Sequence, residues 1–220
     1  MERNNKNAGI KAVIFDMDGV LLDTETMCDI TWNITADEMN IKDMDNTLNI
    51  CRGGNRGDTI AKLKEIYGAD FDGERFINRS VELFREIEFS KGIPVMPFAE
   101  ETLAYLKENY RIALASSTSG PTVKRQLTNA GLINYFETRT TGELVSHSKP
   151  DPEIYIMACN SLGLKPEECV AIEDSPNGIR SACSAGMKAI MVPDKIAPDN
   201  EMKHLCWKIC DSLKGLMDIL

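Results

Sequence analysis

The chain is 220 residues long with 43% apolar and 27% charged side chains, the balance of a folded globular protein rather than a disordered or fibrous one. Its 25 Lys and Arg stand against 34 Asp and Glu, a formal charge of -9 without any basic block, which argues against nucleic acid or an anionic membrane as partner. No apolar run approaches the roughly 18 residues of a membrane span. Residues 1–9 carry no apolar signal core, and the seven scattered cysteines form no Cys-x-x-Cys pair, so reduced thiols and a cytoplasmic protein are expected.

The run from Lys11 to Asp16 is short, β-rich and apolar until it ends in acids and Gly19, which predicts a buried strand emptying into a loop. Residues 24–92 change character. Ile60, Leu63, Ile66 and Tyr67 repeat at helical spacing, as do Phe76, Ile77, Val81, Phe84 and Ile87, and no strand pattern intervenes. Further strand-like runs follow at Arg111 to Ser116, Cys169 to Glu173 and Lys188 to Val192, separated by helical patterns. Helix starts are marked at Ser119-Gly-Pro121, Asp151-Pro152 and Ser175-Pro176, with stops near Gly131 and Gly186. The tail reads as a last strand, Trp207 to Cys210, and a short helix.

Strands alternating with helices imply a parallel sheet of Rossmann-like α/β type, whose ligands sit at the carboxyl ends of strands. The expected organisation is an α/β core of residues 1–23 and 93–220 with an all-helical domain, 24–92, inserted after the first strand. Gly19 to Thr24 and Gly92 to Pro97 are its expected hinges.

The polar residues cluster where such a fold puts its chemistry. Asp16 and Asp18 lie two apart at a strand end and so project into one space, about 7 Å apart. If Asp16 attacked a phosphoryl dianion at about 3.5 Å, repulsion at an effective dielectric near 20 would be on the order of 10 kcal/mol, which a divalent cation offsets. Oxygen donors with only two His in the chain favour Mg²⁺. Taken alone, Asp-x-Asp-Gly also reads as a surface turn, although it lacks the remaining acids of an EF-hand.

Ser116, Ser117 and Thr118 follow an apolar strand and precede a helix, the arrangement of a phosphate cradle or of an ordinary helix cap. Lys149 is set between Ser148 and Pro150, on a stiff backbone that would aim its ammonium. Glu173 and Asp174 form a second acidic pair at a strand end.

In this order, the segments Asp16 to Glu25, Ala115 to Thr118, Ser148 to Pro152 and Ile172 to Gly178 resemble the four motifs of the haloacid dehalogenase superfamily. The helical insert resembles the cap of its β-phosphoglucomutase and small-molecule phosphatase group. The resemblance implies that Asp16 is the nucleophile, forming an aspartyl phosphate, and that Asp18 protonates the leaving group and then activates water. It implies that Ser116 and Lys149 bind the phosphoryl oxygens. Mg²⁺ would be held by the Asp16 carboxylate, the Asp18 carbonyl and Asp174, with Glu173 nearby. The loop carrying Arg52, Asn55 and Arg56 resembles the cap loop that contacts the non-reacting end of the substrate, and its arginines are candidates for a second anionic group or for plain solvation.

One departure separates the chain from the mutase, which has a His on its first cap helix where this sequence has Cys28. The expected activity is hydrolysis of a small phosphorylated metabolite, a sugar phosphate above all, with an intramolecular phosphomutase as the alternative. A receiver-like phosphorylated switch is disfavoured, because its acceptor Asp does not lie on the first strand. No protein partner is indicated.

Overall fold

The computed structural model describes residues 9–52 and 56–220. It divides into two compact units, Met1–Asp23 with Pro94–Leu220, and Thr24–Ile93. Among the described residues no helix is long and apolar enough to cross a membrane.

The first unit is built on a parallel sheet of six strands: β1 (Ala12–Phe15), β2 (Arg111–Ser116), β3 (Thr138–Thr141), β4 (Cys169–Glu173), β5 (Lys188–Met191) and β6 (Lys208–Ile209), in the order β3-β2-β1-β4-β5-β6. All four residues of β1 are fully buried, as a central parallel strand covered on both faces requires. Its register sets Phe15 beside Leu114 on one side and Ile172 on the other. The next residues, Asp16, Ala115 and Glu173, therefore emerge side by side. The strand order also reverses at β1, so the crevice at its carboxyl end is the switch point where α/β sheets bind ligands.

β3 carries no apolar signal in the sequence. Its Thr-Arg-Thr-Thr run is an edge strand, paired only to β2 with Ser116 opposite Thr141, and an edge needs backbone pairing more than a buried face.

The second unit contains α1 (Thr24–Glu38), α2 (Met44–Cys51), α3 (Arg56–Tyr67) and α4 (Gly73–Lys91). Its own core gathers Ala36, Met44, Leu48, Leu63, Phe76 and Ile77, with Trp32 packed edge-to-face on Phe76 at 5.1 Å between centroids. The buried stripe of α4 runs through Phe76, Ile77, Ser80 and Leu83, whereas Val81, part of the apolar repeat in the sequence, is 41% exposed. The stripe turns because Ser80 Oγ donates to Thr35 Oγ1 on α1 at 3.0 Å, a polar contact that hydrophobic periodicity does not register.

In the sheet unit the helices are α5 (Ala99–Lys107), α6 (Gly120–Asn129), α7 (Glu153–Ser161), α8 (Pro176–Ser184), α9 (Asn200–Leu205) and α10 (Leu216–Ile219). The starts of α6 and α8 fall where the Ser-Gly-Pro and Ser-Pro signals predict, and Ser175 caps α8 by accepting the Gly178 N–H at 3.1 Å. Tyr155, Cys159, Ile179 and Ala182 close one core face against Ile14, Ala113 and Ala171.

Candidate active site

Three strand ends meet at one ammonium. Lys149 Nζ donates to Asp16 Oδ1 at 2.6 Å, to Glu173 Oε1 at 2.6 Å and to the Ala115 carbonyl at 3.2 Å, which ties the carboxyl ends of β1, β4 and β2 together. Asp16 is 6% exposed and Glu173 is 1% exposed. Burial opposes the charge on Lys149, but the Asp16 and Glu173 carboxylates outweigh it and hold the ammonium well above its usual range. Burial pushes the Asp16 carboxyl up to about 7; Lys149 pulls it back, while Glu173 and Asp18 push it further up.

Glu173 is saturated by protein donors. Besides Lys149, its Oε1 accepts the Tyr155 hydroxyl at 2.8 Å, and Oε2 accepts the Ser175 hydroxyl at 3.0 Å and N–H at 3.3 Å. Tyr155 is fully buried, and burial followed by the Glu173 charge raises its hydroxyl far above the ordinary tyrosine range, so it remains a donor. The Glu173 carboxylate lies over the first turn of α8, where a Cβ at Gly178 would stand 1.9 Å from it. Since Glu173 is pinned from three sides, Gly178→Ala is expected to lose about 2–3 kcal/mol by overpacking and to displace the acid. Urea unfolding and phosphate release should both register the change; an alanine variant with native stability and activity would show the contact to be slack.

Carboxylate oxygens of Asp16, Glu173 and Asp174 come within 4.8 Å of one another. Three buried or half-buried acids against one ammonium leave the cluster negative, and an all-oxygen donor set without His or Cys suits Mg²⁺ rather than zinc.

The Asp18 carboxylate lies outside that group. Its Oδ2 accepts the Thr118 hydroxyl at 2.8 Å and the Ser116 hydroxyl at 3.4 Å, while Ser116 Oγ accepts the Thr118 N–H at 3.1 Å. The hydroxyls beyond β2 draw the Asp18 carboxylate toward themselves, so the carboxylates that stand close enough to share a cation are those of Asp16, Glu173 and Asp174. Ser116 is buried and Ser117 is exposed.

Two residues of this cluster escaped the sequence reading. Tyr155 is not singled out by any motif in the sequence; the one available signal is that a buried tyrosine needs a partner for its hydroxyl. Thr118 stands in the sequence as the last of three hydroxyl residues, with nothing to single it out.

The helical-unit candidates behave differently. Arg52 donates to Glu25 at 3.1 Å and to both oxygens of Asp29 at 2.7 and 2.8 Å, and its side chain is 12% exposed. Arg56 donates to Glu74 at 2.5 Å and Asn78 at 2.7 Å. Both arginines are thus engaged within their own unit, and Asn55 lies outside the described residues.

Residues 13–192 match the family of haloacid dehalogenase-like hydrolases. The phosphorylated carbohydrates phosphatase of Thermotoga maritima is 32% identical over 182 residues, covering 82% of this chain and 84% of that protein. The beta-phosphoglucomutase of Bacillus subtilis is 32% identical over 195 residues, 83% of each chain. Among solved structures, a haloacid dehalogenase family hydrolase from Deinococcus radiodurans with bound phosphate and sodium superposes with a TM-score of 0.78 at 28% identity, covering 95% of this chain and 94% of that one. With four acids, a lysine and a serine set at the switch point of a parallel sheet, and with a family match spanning most of its length, the chain belongs to the haloacid dehalogenase-like hydrolases.

Proposed function

We propose that the chain is a Mg²⁺-dependent phosphatase of small phosphorylated metabolites, sugar phosphates foremost, acting through a phosphoryl-aspartate on Asp16. The observation that carries this reading is the buried Asp16, held at 2.6 Å by a lysine whose other carboxylate partner is Glu173. In a buried site a carboxylate so placed is a positioned nucleophile, and the ammonium beside it is a ready counter-charge for phosphoryl oxygens. The phosphatase and mutase relatives support the substrate class.

In the first half-reaction an Asp16 oxygen bonds to phosphorus, the ester P–O bond breaks, and Asp18 gives its proton to the departing alkoxide. In the second, Asp18 takes a proton from water as that water attacks phosphorus, which frees orthophosphate and restores the Asp16 carboxylate. Ser116 and Lys149 bind the transferring oxygens, with Ser117 beside them. Asp16 and Asp174, with the Asp18 carbonyl, would hold the metal; Glu173 braces Lys149 from behind, its oxygens taken by Tyr155 and Ser175. A bound Mg²⁺ supplies charge neutralisation for the dianion that Asp16 must approach. Residues 24–92 would serve as the cap that selects the rest of the substrate.

A panel of sugar monophosphates should yield orthophosphate with Mg²⁺ present, none with EDTA, and full recovery on Mg²⁺ repletion. Failure across a broad panel would overturn the proposal. The mutase reading, favoured by the Bacillus relative, requires instead that a trace of sugar bisphosphate prime conversion of β-glucose 1-phosphate to the 6-phosphate without free phosphate. Cys28, standing where the mutase has its His, argues for hydrolysis.

A further inference from the structure

We infer that Tyr155 is a positioning residue of the reaction: acting through Glu173, it sets where the Lys149 ammonium stands between that acid and the phosphoryl group on its way to Asp16. The inference rests on the phosphatase reading above and adds to it a residue outside the four motif segments.

Tyr155 lies in the first turn of α7 without exposed surface, in the core cluster that holds Ile14, Ala113, Ala171 and Ile179. Phenylalanine would fill that place equally well, so the hydroxyl is the part that calls for an account. A buried hydroxyl is costly unless it finds a partner. This one donates to Glu173 Oε1 at 2.8 Å, the same oxygen that accepts Lys149 Nζ at 2.6 Å. Nζ also stands over the Tyr155 ring, 5.0 Å from its centroid. One side chain therefore meets both members of the Lys149–Glu173 pair, the acid through its hydroxyl and the ammonium through its ring face.

An ammonium has three N–H groups, and those of Lys149 go to Asp16 at 2.6 Å, to Glu173 at 2.6 Å and to the Ala115 carbonyl at 3.2 Å. To hold a phosphoryl oxygen, Lys149 must give up one of these bonds. The Ala115 carbonyl, neutral and farthest, costs least to leave, but the ammonium can turn from it in a defined way only about an anchor that keeps its place. Asp16 is a poor anchor, since its carboxylate loses its charge on becoming an acyl phosphate. Glu173 is the remaining one. Its Oε2 accepts from Ser175, and the Tyr155 hydroxyl holds Oε1 against rotation. That hydroxyl also occupies a lone pair of Oε1 and disperses part of its charge, so the acid does not draw the ammonium away from Asp16 and the phosphoryl group. Without it, Oε1 would be a buried and under-satisfied anion that pulls Nζ toward itself. The ring, in contrast, steadies the ammonium without claiming an N–H.

Tyr155→Phe tests this, because it removes one oxygen and keeps the ring, the core volume and the aromatic face under Nζ. In Mg²⁺, calorimetric binding of orthovanadate, which can take on an Asp16 oxygen and so imitates the transferring group, should weaken by about tenfold, while that of orthophosphate changes by less than about twofold. With p-nitrophenyl phosphate as substrate, kcat should fall by about tenfold and KM should stay within about twofold. In a Glu173→Gln background the same substitution should add less than about twofold to the loss of kcat, since the charge it acts through is already gone. A merely structural role would lower stability, read by urea unfolding, and leave kcat per folded molecule untouched. Should Glu173→Gln fail to fold, the two anions and the kcat against KM split of Tyr155→Phe alone carry the decision. Native vanadate affinity and kcat in Tyr155→Phe, equal weakening of both anions, losses that multiply in the double variant, or binding of neither anion to the unaltered protein overturns the inference. The phosphatase reading falls separately, on the absence of orthophosphate release by the unaltered protein, and the two anions then still decide the part played by Tyr155.

Discussion

Asp16→Asn should abolish phosphate release, by at least about a thousandfold, since it removes the attacking oxygen's charge without removing volume. The amide oxygen still accepts from Lys149, so the protein should fold. The substitution also has a signature in stability. In the metal-free protein the Asp16 carboxyl sits at about 7, against an ordinary value of 3.8, so the folded state holds that proton more tightly than the unfolded chain does. Its contribution to stability is therefore fully present below pH 4 and is lost as the pH rises through about 7. Thermal unfolding in EDTA should show the native protein losing ground relative to Asp16→Asn across that window. Parallel pH profiles for the two proteins would contradict the assignment of the raised carboxyl to Asp16.

Lys149→Met should be nearly as damaging to activity and far more so to the fold. It leaves Asp16 and Glu173 buried with no ammonium between them, and removal of one partner from a buried ion pair costs about 3–5 kcal/mol. Asp16, already raised by burial, would take up a proton to relieve the repulsion, so the loss should be larger at pH 8 than at pH 5. Phosphate release should fall by about two to three orders of magnitude with Mg²⁺ saturating, because the transferring group loses its counter-charge and the nucleophile is protonated. Urea unfolding at both pH values together with a phosphate-release assay measures each part. A variant within about 1 kcal/mol of native stability at pH 8 would mean that solvent or a neighbouring cation already neutralises the pair.

The central strands were legible in the sequence because β1, β2 and β4 are buried on both faces and read as unbroken apolar runs. Their polar ends, Asp16, Ser116 and Glu173, then followed from parallel topology alone. The edge strand β3 was not legible, since its four polar-rich residues are held by β2 and advertise no burial. The helical insert announced itself by periodicity, but the facing of α4 depends on a serine hydroxyl finding Thr35, forty-five residues away in sequence.

In the site, residue types and spacing singled out the nucleophile, the lysine and the acids. They could not disclose partnership. Whether Arg52 meets a substrate or meets Asp29 depends on how α1 and α2 pack, and the two choices are identical in the sequence. Asp18 likewise gives no hint from spacing that its carboxylate turns to Thr118. The formal charge of -9 poses the question of what cation an acidic protein needs to hold a phosphate, and the fold shows where part of that charge gathers.

The claim on which everything else depends is that phosphorus passes through Asp16. Acid quench during turnover of a sugar phosphate labelled in its phosphoryl group, followed by peptide mapping, tests it directly. Label should be recovered on the peptide containing Asp16 as an acid-stable, alkali-labile acyl phosphate, and should vanish in Asp16→Asn. Steady release of orthophosphate with the label on another residue, or with Asp16→Asn turning over at the native rate, would contradict it.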